Sequence, residues 1–505
     1  MARYKDFSYD QGLMIPVNLN RQISEGTIEY TINWLVDNRI DLSCFDKNYK
    51  NDETGAPAYH PAILLKIILL AYSRGIIPSR KIAMECRENI IFMALSAGSN
   101  PDFTTIAWFV RSMKDEIKKI FTNILLVCAD MDLLGGTEFA LDGCKITSNA
   151  SKEYSGKFSD LRKKKGKIEK TIDFLIKKHE KLDREDDEKS NPGGDYRKKI
   201  EKLQNKADKI EKFLNENNPK AKIRYGEAQS NITDNESAKM KTSHGVIQGY
   251  NGMAIADSKH QVVFYAEAFG SGQEHKLLQP MIKEAESLAE KIRLGEKYFA
   301  GKKIIADTGS FEESNLEYLS DIKADAYIPD QKFRKRDPRF HDAERHKPEI
   351  IRLFTKEDFI FNKQNNSFTC PAGQVLRYYG FQNFNNTEGR KYISKYSQCG
   401  NCLLREKCIK SEKTKFRTLY VVEKYFNRNF SDEMKSKIDT EEGRQIYSRR
   451  MGIIEPVFGN IKNKGLTRFT LRSKEKVNIQ WCLFSIIHNI CKISRYGSGG
   501  VIQSG

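Results

Sequence analysis

The sequence predicts an α/β core, a mixed sheet flanked by helices, with an all-α domain ahead of it and two insertions. Three observations lead there. Strand-type patterns occur around Asp142, from Gly245 to Phe269 and from Lys303 to Asp307. Between the first two, apolar residues fall at coiled-coil spacing: Leu161, Ile168, Ile172, Leu175 and Leu182, then Tyr196, Ile200, Leu203, Ala207, Ile210 and Leu214. Four cysteines, Cys370, Cys399, Cys402 and Cys408, gather before a last helical segment. At 505 residues the chain exceeds one ordinary core. The expected division is a helical domain over 1–135, a first core part over 136–330 with a helical-hairpin insertion at 152–235, a basic, cysteine-rich insertion over 331–425, a last core part over 426–495 and a flexible tail over 496–505.

In the first domain, His60-Pro61 opens a helix that Gly75 ends, and proline suits a first helical turn. Ser79 is placed to cap the next helix, which carries Arg80, Lys81 and Arg87, and a third helix starts near Thr104. Such a trio fits either a helix-turn-helix or a plain bundle. In the hairpin, Asn191-Pro192-Gly193-Gly194 supplies the turn. Its many lysines are balanced by acids, so a solvated face, DNA tracking and a dimer contact all stay open.

The formal charge of +18 calls for an anionic polymer or surface as partner. No apolar run approaches the roughly 18 residues of a membrane span, and the first residues lack the apolar centre of a secretory signal. Six cysteines stand singly in apolar contexts, which suits a reduced, cytoplasmic interior.

Three acids then stand out: Asp142 in Leu-Asp-Gly, Asp307 in Ile-Ile-Ala-Asp-Thr-Gly, and Glu455 in Ile-Ile-Glu-Pro-Val-Phe-Gly. Each sits in an apolar segment, where an unpaired charge is costly. Two aspartates at strand ends and a distant glutamate, in a basic protein, suit two Mg²⁺ (or Mn²⁺) ions working on a phosphodiester. Parallel crossovers bring strand C-termini to one edge, so Asp142 and Asp307 are expected to meet. Asp257 sits where a hairpin needs a turn residue and reads as structural.

The segment from Glu441 to Lys464 predicts a helix with an apolar face of Tyr447, Met451, Ile454, Phe458 and Ile461. Glu455 and Lys462 share one edge of it with Gly452 and Gly459, leaving room for a metal ion and a phosphate backbone. Pro456 predicts a kink or a helix restart. The cysteines, with Cys399-x2-Cys402 as a knuckle, fit a structural Zn²⁺ site; an iron–sulfur cluster or unrelated thiols are the alternatives. Lys332, Arg334, Lys335, Arg336, Arg339 and Arg345, interleaved with Phe333 and Phe340, suit either contacts to phosphates and splayed bases or a solubilising loop.

Asp142-Gly143 with Asn149-Ala150-Ser151, Gly249-Tyr250-Asn251, Asp307-Thr-Gly309-Ser-Phe311, and Tyr447, Arg450, Glu455 and Lys462 in that order together resemble bacterial insertion-sequence transposases of the Asp-Asp-Glu type. The likeness spans nearly the whole chain and is to the branch with a helical N-terminal domain and a cysteine-bearing insertion. It implies a ribonuclease-H-like core, catalytic metal ligands Asp142, Asp307 and Glu455, and phosphate contacts from Lys462, Tyr447 and an arginine. Arg450 and Arg449 both lie farther from the glutamate than the family's usual spacing, so either fits that role. The resemblance further implies transposon ends held by the N-terminal domain through Arg80, Lys81 and Arg87, target DNA as second substrate, a homodimer or larger synaptic assembly, and a nucleoid-associated protein. A nuclease of the same fold without strand transfer, and a DNA-binding regulator with an unused core, are the competing readings.

Overall fold

The structure is a computed structural model and describes residues 17–49, 57–185, 193–220, 226–243, 245–340, 353–384, 387–411, 413–423 and 429–497. Arg345, the Asn191-Pro192 half of the hairpin turn and most of the tail lie outside the described residues. The chain forms two compact units. One comprises the residues up to Ser310, Ile322–Asp325 and the residues from Ser448 on; the other comprises Phe311–Asp321 and Ala326–Tyr447.

Among the described residues, the first unit opens with six α-helices: α1 (Ile28–Asn38), α2 (Pro61–Ser73), α3 (Ser79–Glu88), α4 (Ile90–Leu95), α5 (Phe103–Ser112) and α6 (Glu116–Asp130). Pro61 is the first residue of α2, and the His60 ring accepts from the Ala62 N–H. The helix is buried almost all round, as its run Ile-Leu-Leu-Lys-Ile-Ile-Leu-Leu requires. Gly75, at φ +75°, ends it in the left-handed conformation that costs glycine least. Ser79 is the first residue of α3 rather than its cap; Pro78 holds that place without a side-chain bond. Asp102 caps α5 by accepting from the Thr104 N–H at 2.8 Å.

A mixed sheet follows. β1 (Glu138–Thr147) leads through β2 (Ser155–Gly156) to the long helices α7 (Phe158–Glu185) and α8 (Gly193–Glu216). These pack through Phe158, Leu161, Ile210 and Phe213, the start of the seam that the spacing predicts. The chain then returns through β3 (Ser230–Asn231), β4 (Ala238–Thr242), β5 (Gly245–Asp257) and β6 (Val263–Phe269). Helix α9 (Leu278–Lys291) crosses over to β7 (Lys303–Ala306). β5 pairs antiparallel with β4, β6 and β1, while β7 runs parallel to β1 on its other side. β5 is buried from Gln248 to Asp257, as a strand covered on both faces must be.

Of the later elements, α10 (Glu313–Asp321) lies in the second unit, and β8 (Asp325–Tyr327) starts where the Asp325 N–H meets the Lys302 carbonyl at 2.9 Å. The second unit is centred on an antiparallel sheet of β9 (Ile360–Asn362), β10 (Ser367–Thr369), β11 (Val375–Phe384), β12 (Thr387–Ile393) and β13 (Thr418–Val422), in that spatial order. Its core is Phe359, Phe368, Leu376, Tyr392, Leu419 and Val421. It also carries short helices α11 (Phe333–Arg336), α12 (Tyr396–Cys399) and α13 (Arg405–Cys408), then α14 (Phe430–Ile438).

The chain closes with α15 (Glu441–Asn463) and α16 (Lys474–Tyr496). In α16, Asn489 bonds both backbone groups of Val263, and the Trp481 indole N–H donates to the Met253 carbonyl at 3.0 Å, which fixes this helix on the sheet. On α15 the buried stripe is Ile446, Ile453, Ile454, Val457, Phe458 and Ile461. Met451, expected on that stripe, is instead 64% exposed: the true stripe is set by the paired positions Ile453-Ile454 and Val457-Phe458. Pro456 neither ends nor restarts α15. Proline removes the N–H that would have bonded the Gly452 carbonyl, and the Gln261 side-chain amide donates to that carbonyl at 3.0 Å instead.

Candidate active site

Asp142 was expected at a strand end, and the structure corrects this. β1 runs on to Thr147, because β5 continues to pair with it as far as Thr147 opposite Gly249. What ends near Asp142 is the ladder on the other side. The last parallel pair is Leu141 with Ala306, so Asp142 and Asp307 each lie one residue beyond it, where the two strands part. The meeting of the two acids therefore follows from register.

Local bonds orient both carboxylates. Asp142 Oδ1 accepts from its neighbour's N–H, Gly143, at 2.8 Å, and Asp307 Oδ1 accepts from the Gly309 N–H at 3.0 Å. Arg450 donates to Asp142 Oδ2. Arg449 points elsewhere and pairs with Glu138 at 3.2 Å. The structure thus distinguishes the two candidate arginines. The Asp307 carboxyl is pushed up to about 6, first by burial and then by the charges of Asp142 and Glu274, with Arg450 and the Gly309 N–H working the other way.

Lys462 reaches the same strand from α15, and the charge of Glu455 is felt there. Burial raises the thiol of Cys144, two residues beyond Asp142, and Lys462 opposes that shift at hydrogen-bond range while the charges of Asp142 and Glu455 add to it. Both Glu455 and Lys462 are exposed, and a Cβ on Gly452 or Gly459 would meet nothing within 4 Å. The glycine-lined edge is open, as the spacing predicts.

One group beside these acids, Glu274, escaped the sequence reading. Glu274 forms an ion pair with Lys145 at 3.2 Å and accepts from Asn251 Nδ2 at 3.4 Å. Asn251 belongs to the Gly-Tyr-Asn motif, whereas Glu274 lies in the polar stretch Gly270-Ser-Gly-Gln-Glu and carries no pattern. The motif residue Asn149 proves to be a tether: its side chain donates to the Thr470 carbonyl at 2.9 Å and accepts from Arg468 at 2.9 Å.

Arg80, Lys81 and Arg87 are exposed on α3, with the Arg80 guanidinium 4.8 Å from the centre of the Phe103 ring. Tyr447 packs edge-on against Phe333 in the second unit. In the basic run of that unit, Arg336 is clamped by Asp330 and Asp439, each at 2.6 Å, and Arg339 pairs with Asp337 at 2.7 Å. Those two arginines serve the fold. Asp257 is structural as expected: it is fully buried and accepts from the N–H groups of Gly135, Gly136 and Lys259 at 2.8–2.9 Å.

Cys370, Cys399, Cys402 and Cys408 line one cavity of about 20 Å³, room for a single water-sized particle. The Gln374 N–H donates to the Cys370 sulfur at 3.3 Å, and Ser394 Oγ lies 2.9 Å from that of Cys399. Among the described residues, no group of three or more His, Cys, Asp or Glu side chains is already arranged to hold a metal ion, and no helix is long and apolar enough to cross a membrane.

A family model for a transposase DDE domain matches residues 369–494, and one for a transposase domain (DUF772) matches residues 17–112. Both matches support an insertion-sequence transposase of the Asp-Asp-Glu type. No curated protein matches it. The first match takes in Glu455, Lys462 and all four cysteines, and the second takes in Arg80, Lys81 and Arg87. Asp142 and Asp307 lie outside both. Family membership implies DNA as substrate and a divalent metal as helper.

Proposed function

We propose that this transposase cleaves insertion-sequence ends and joins them to target DNA by metal-dependent chemistry on a ribonuclease-H-like core. The observation that carries the reading is the pairing of Asp142 and Asp307 one residue past a shared parallel ladder, with Lys462 brought to the same strand and the charge of Glu455 felt there. The sheet order supports the core assignment: three antiparallel strands, β1, β5 and β6, with a parallel strand on the far side of the first.

The donor set fits Mg²⁺ or Mn²⁺. It consists of hard carboxylate oxygens, one of them held protonated to higher pH than usual first by burial and then by its acidic neighbours, so that a cation would relieve it. Asp142, Asp307 and Glu455 would hold the ions, which when bound activate an attacking oxygen and stabilise the leaving one. Arg450, which pairs with Asp142, would serve a phosphate if that carboxylate held an ion. Lys462, on an open helical edge, contributes a point charge for the backbone at the cut. Arg80, Lys81 and Arg87 supply end binding, and two copies of the chain would synapse the two ends.

Asp142→Asn, Asp307→Asn and Glu455→Gln should each abolish Mg²⁺-dependent cleavage of a DNA carrying the element's ends while leaving binding to it intact. Gel-shift titrations paired with cleavage assays read both, and normal cutting by any one variant removes that acid from the site.

We also propose that the four cysteines hold a structural Zn²⁺. Their convergence on one cavity supports it, as does the Cys408 thiol, raised by burial and by the charges of the other three sulfurs. Metal analysis should find about one zinc per chain, lost in Cys402→Ser; zinc-free wild-type protein would refute it.

A further inference from the structure

Glu274 has no part in the chemistry described so far, yet its surroundings are those of a working group. It opens a short 3₁₀ turn (Glu274–Lys276) between β6 and α9, and its side chain is only 19% exposed. Its two oxygens have different duties. Oε1 is held by Lys145 and Asn251. Oε2 faces Gly309: a Cβ built on that glycine would lie 2.8 Å from Glu274 Oε2 and 3.1 and 3.3 Å from the two Asp307 oxygens. Glu274 and Asp307 therefore flank one small space that only glycine leaves open.

A second observation is independent of the carboxylates. Asn251 is fully buried, and while its Nδ2 reaches Glu274, its Oδ1 has no hydrogen-bond partner among the described residues. That oxygen lies against Gly143, next to Asp142, where a Cβ would come within 2.6 Å of it. A buried acceptor left unmet costs about 1–3 kcal/mol, which is tolerable where a ligand or its water completes the set. The two carboxylates around the gap at Gly309, and the spare amide oxygen against Gly143 on the neighbouring strand, are all oxygen donors, the preference of Mg²⁺ and Mn²⁺.

We propose that Glu274 is a fourth metal-facing carboxylate of this site, sharing through Oε2 the ion held by Asp307, while Lys145 and Asn251 fix its other oxygen. The proposal rests on the reading of Asp142, Asp307 and Glu455 as metal ligands. The competing account makes Glu274 merely the partner of Lys145.

Calorimetric titration of the full chain with Mn²⁺, without DNA, separates these. Glu274→Gln keeps the shape and should weaken Mn²⁺ binding roughly 10-fold or more, with Glu274→Asp, which keeps the charge, falling between it and wild type. Lys145→Met breaks the same ion pair from the other side but spares the carboxylate, and should lose clearly less Mn²⁺ affinity than Glu274→Gln. If Glu274→Gln binds Mn²⁺ normally while Asp307→Asn does not, Glu274 is not a ligand and the three-acid reading survives. If Lys145→Met weakens binding as much as Glu274→Gln, the ion pair is the cause and the proposal also fails. If Asp307→Asn itself binds normally, both readings fall together.

Discussion

Asp257 and Asp307 lie in one sheet, both poorly exposed and both beside β1, but in opposite circumstances. Asp257 lies opposite Phe139, near the start of β1, and three backbone N–H groups converge on its carboxylate. Asp307 lies near the middle of the same strand, with one N–H, the charge of Arg450 and two other carboxylates as its company. The first acid is complete within the fold. The second is held in a state that the fold alone does not satisfy, and that is the mark of a group kept for a ligand. Burial and strand position do not separate the two; the count of donors against like charges does.

The sharpest way to break this contrast is to neutralise each acid in turn. Asp257→Asn replaces one acceptor oxygen with an NH₂ that must face a backbone N–H, so stability should fall by about 2–3 kcal/mol, the value of hydrogen bonds to a charged acceptor. Cleavage per folded molecule should stay normal, in contrast to Asp307→Asn. Urea unfolding at 25 °C together with an end-cleavage assay measures both. A stable Asp257→Asn that cannot cut would mean that the two acids are not different in kind.

The converse effect is smaller and opposite in sign. Because the folded-state pKa of Asp307 is raised from 3.8 to about 6, the folded protein holds a proton there that the unfolded chain has released. The linked stability is fully present below about pH 4 and lost as pH rises through about 6. Asp307→Asn should therefore stabilise the metal-free protein at pH 7 by on the order of 2 kcal/mol, after allowing for solvent screening, and by almost nothing at pH 4. Saturating Mn²⁺ should reverse the order, since only the wild type gains from binding. Thermal unfolding at two pH values, with and without Mn²⁺, is the test; a variant no more stable than wild type at pH 7 would mean that the crowding of acids is not felt.

Much of this arrangement was legible in the residues. The run Lys303–Ala306 and the alternation before Asp142 marked the two strands, and parallel crossover placed their acids together. The Asp257 turn was recognisable because a hairpin needs such a residue where it stands. What could not be read was whatever depended on partners distant in sequence. Asp142 looks like a strand end because Gly143 follows it, but β1 continues since β5 pairs beyond it. Arg450 and Arg449 are adjacent and chemically alike, and only the helix's rotation against β1 sends one to Asp142 and the other to Glu138. Glu274 lies in a polar linker whose composition says only loop. Met451 fits an apolar stripe on paper, but the stripe follows the isoleucine and valine pairs around it.

Pro456 is the last such case, and the smallest effect. By local rules it should interrupt α15 just after Glu455, yet the helix continues because Gln261 meets the orphaned Gly452 carbonyl. Gln261 is itself committed: at φ +60° it accepts from Lys492 through its side chain and from the His488 ring through its carbonyl, so the amide reaches Gly452 from a fixed base. Gln261→Ala should then cost about 1 kcal/mol, the ordinary net worth of a hydrogen bond. In a Pro456→Ala background the restored N–H bonds Gly452 within the helix, so most of the part of that cost due to Gly452 should vanish, leaving the lost contact to Lys492. A double-mutant cycle in urea reads the coupling. Additive effects would show that Gln261 does not substitute for the missing N–H. Coupling without a change in cleavage would place the substitution in the fold alone, beside Asp257. Coupling with slower cleavage would mean that the position of Glu455 depends on an amide contributed from beyond the helix, and would join this end of the sheet to the acid cluster.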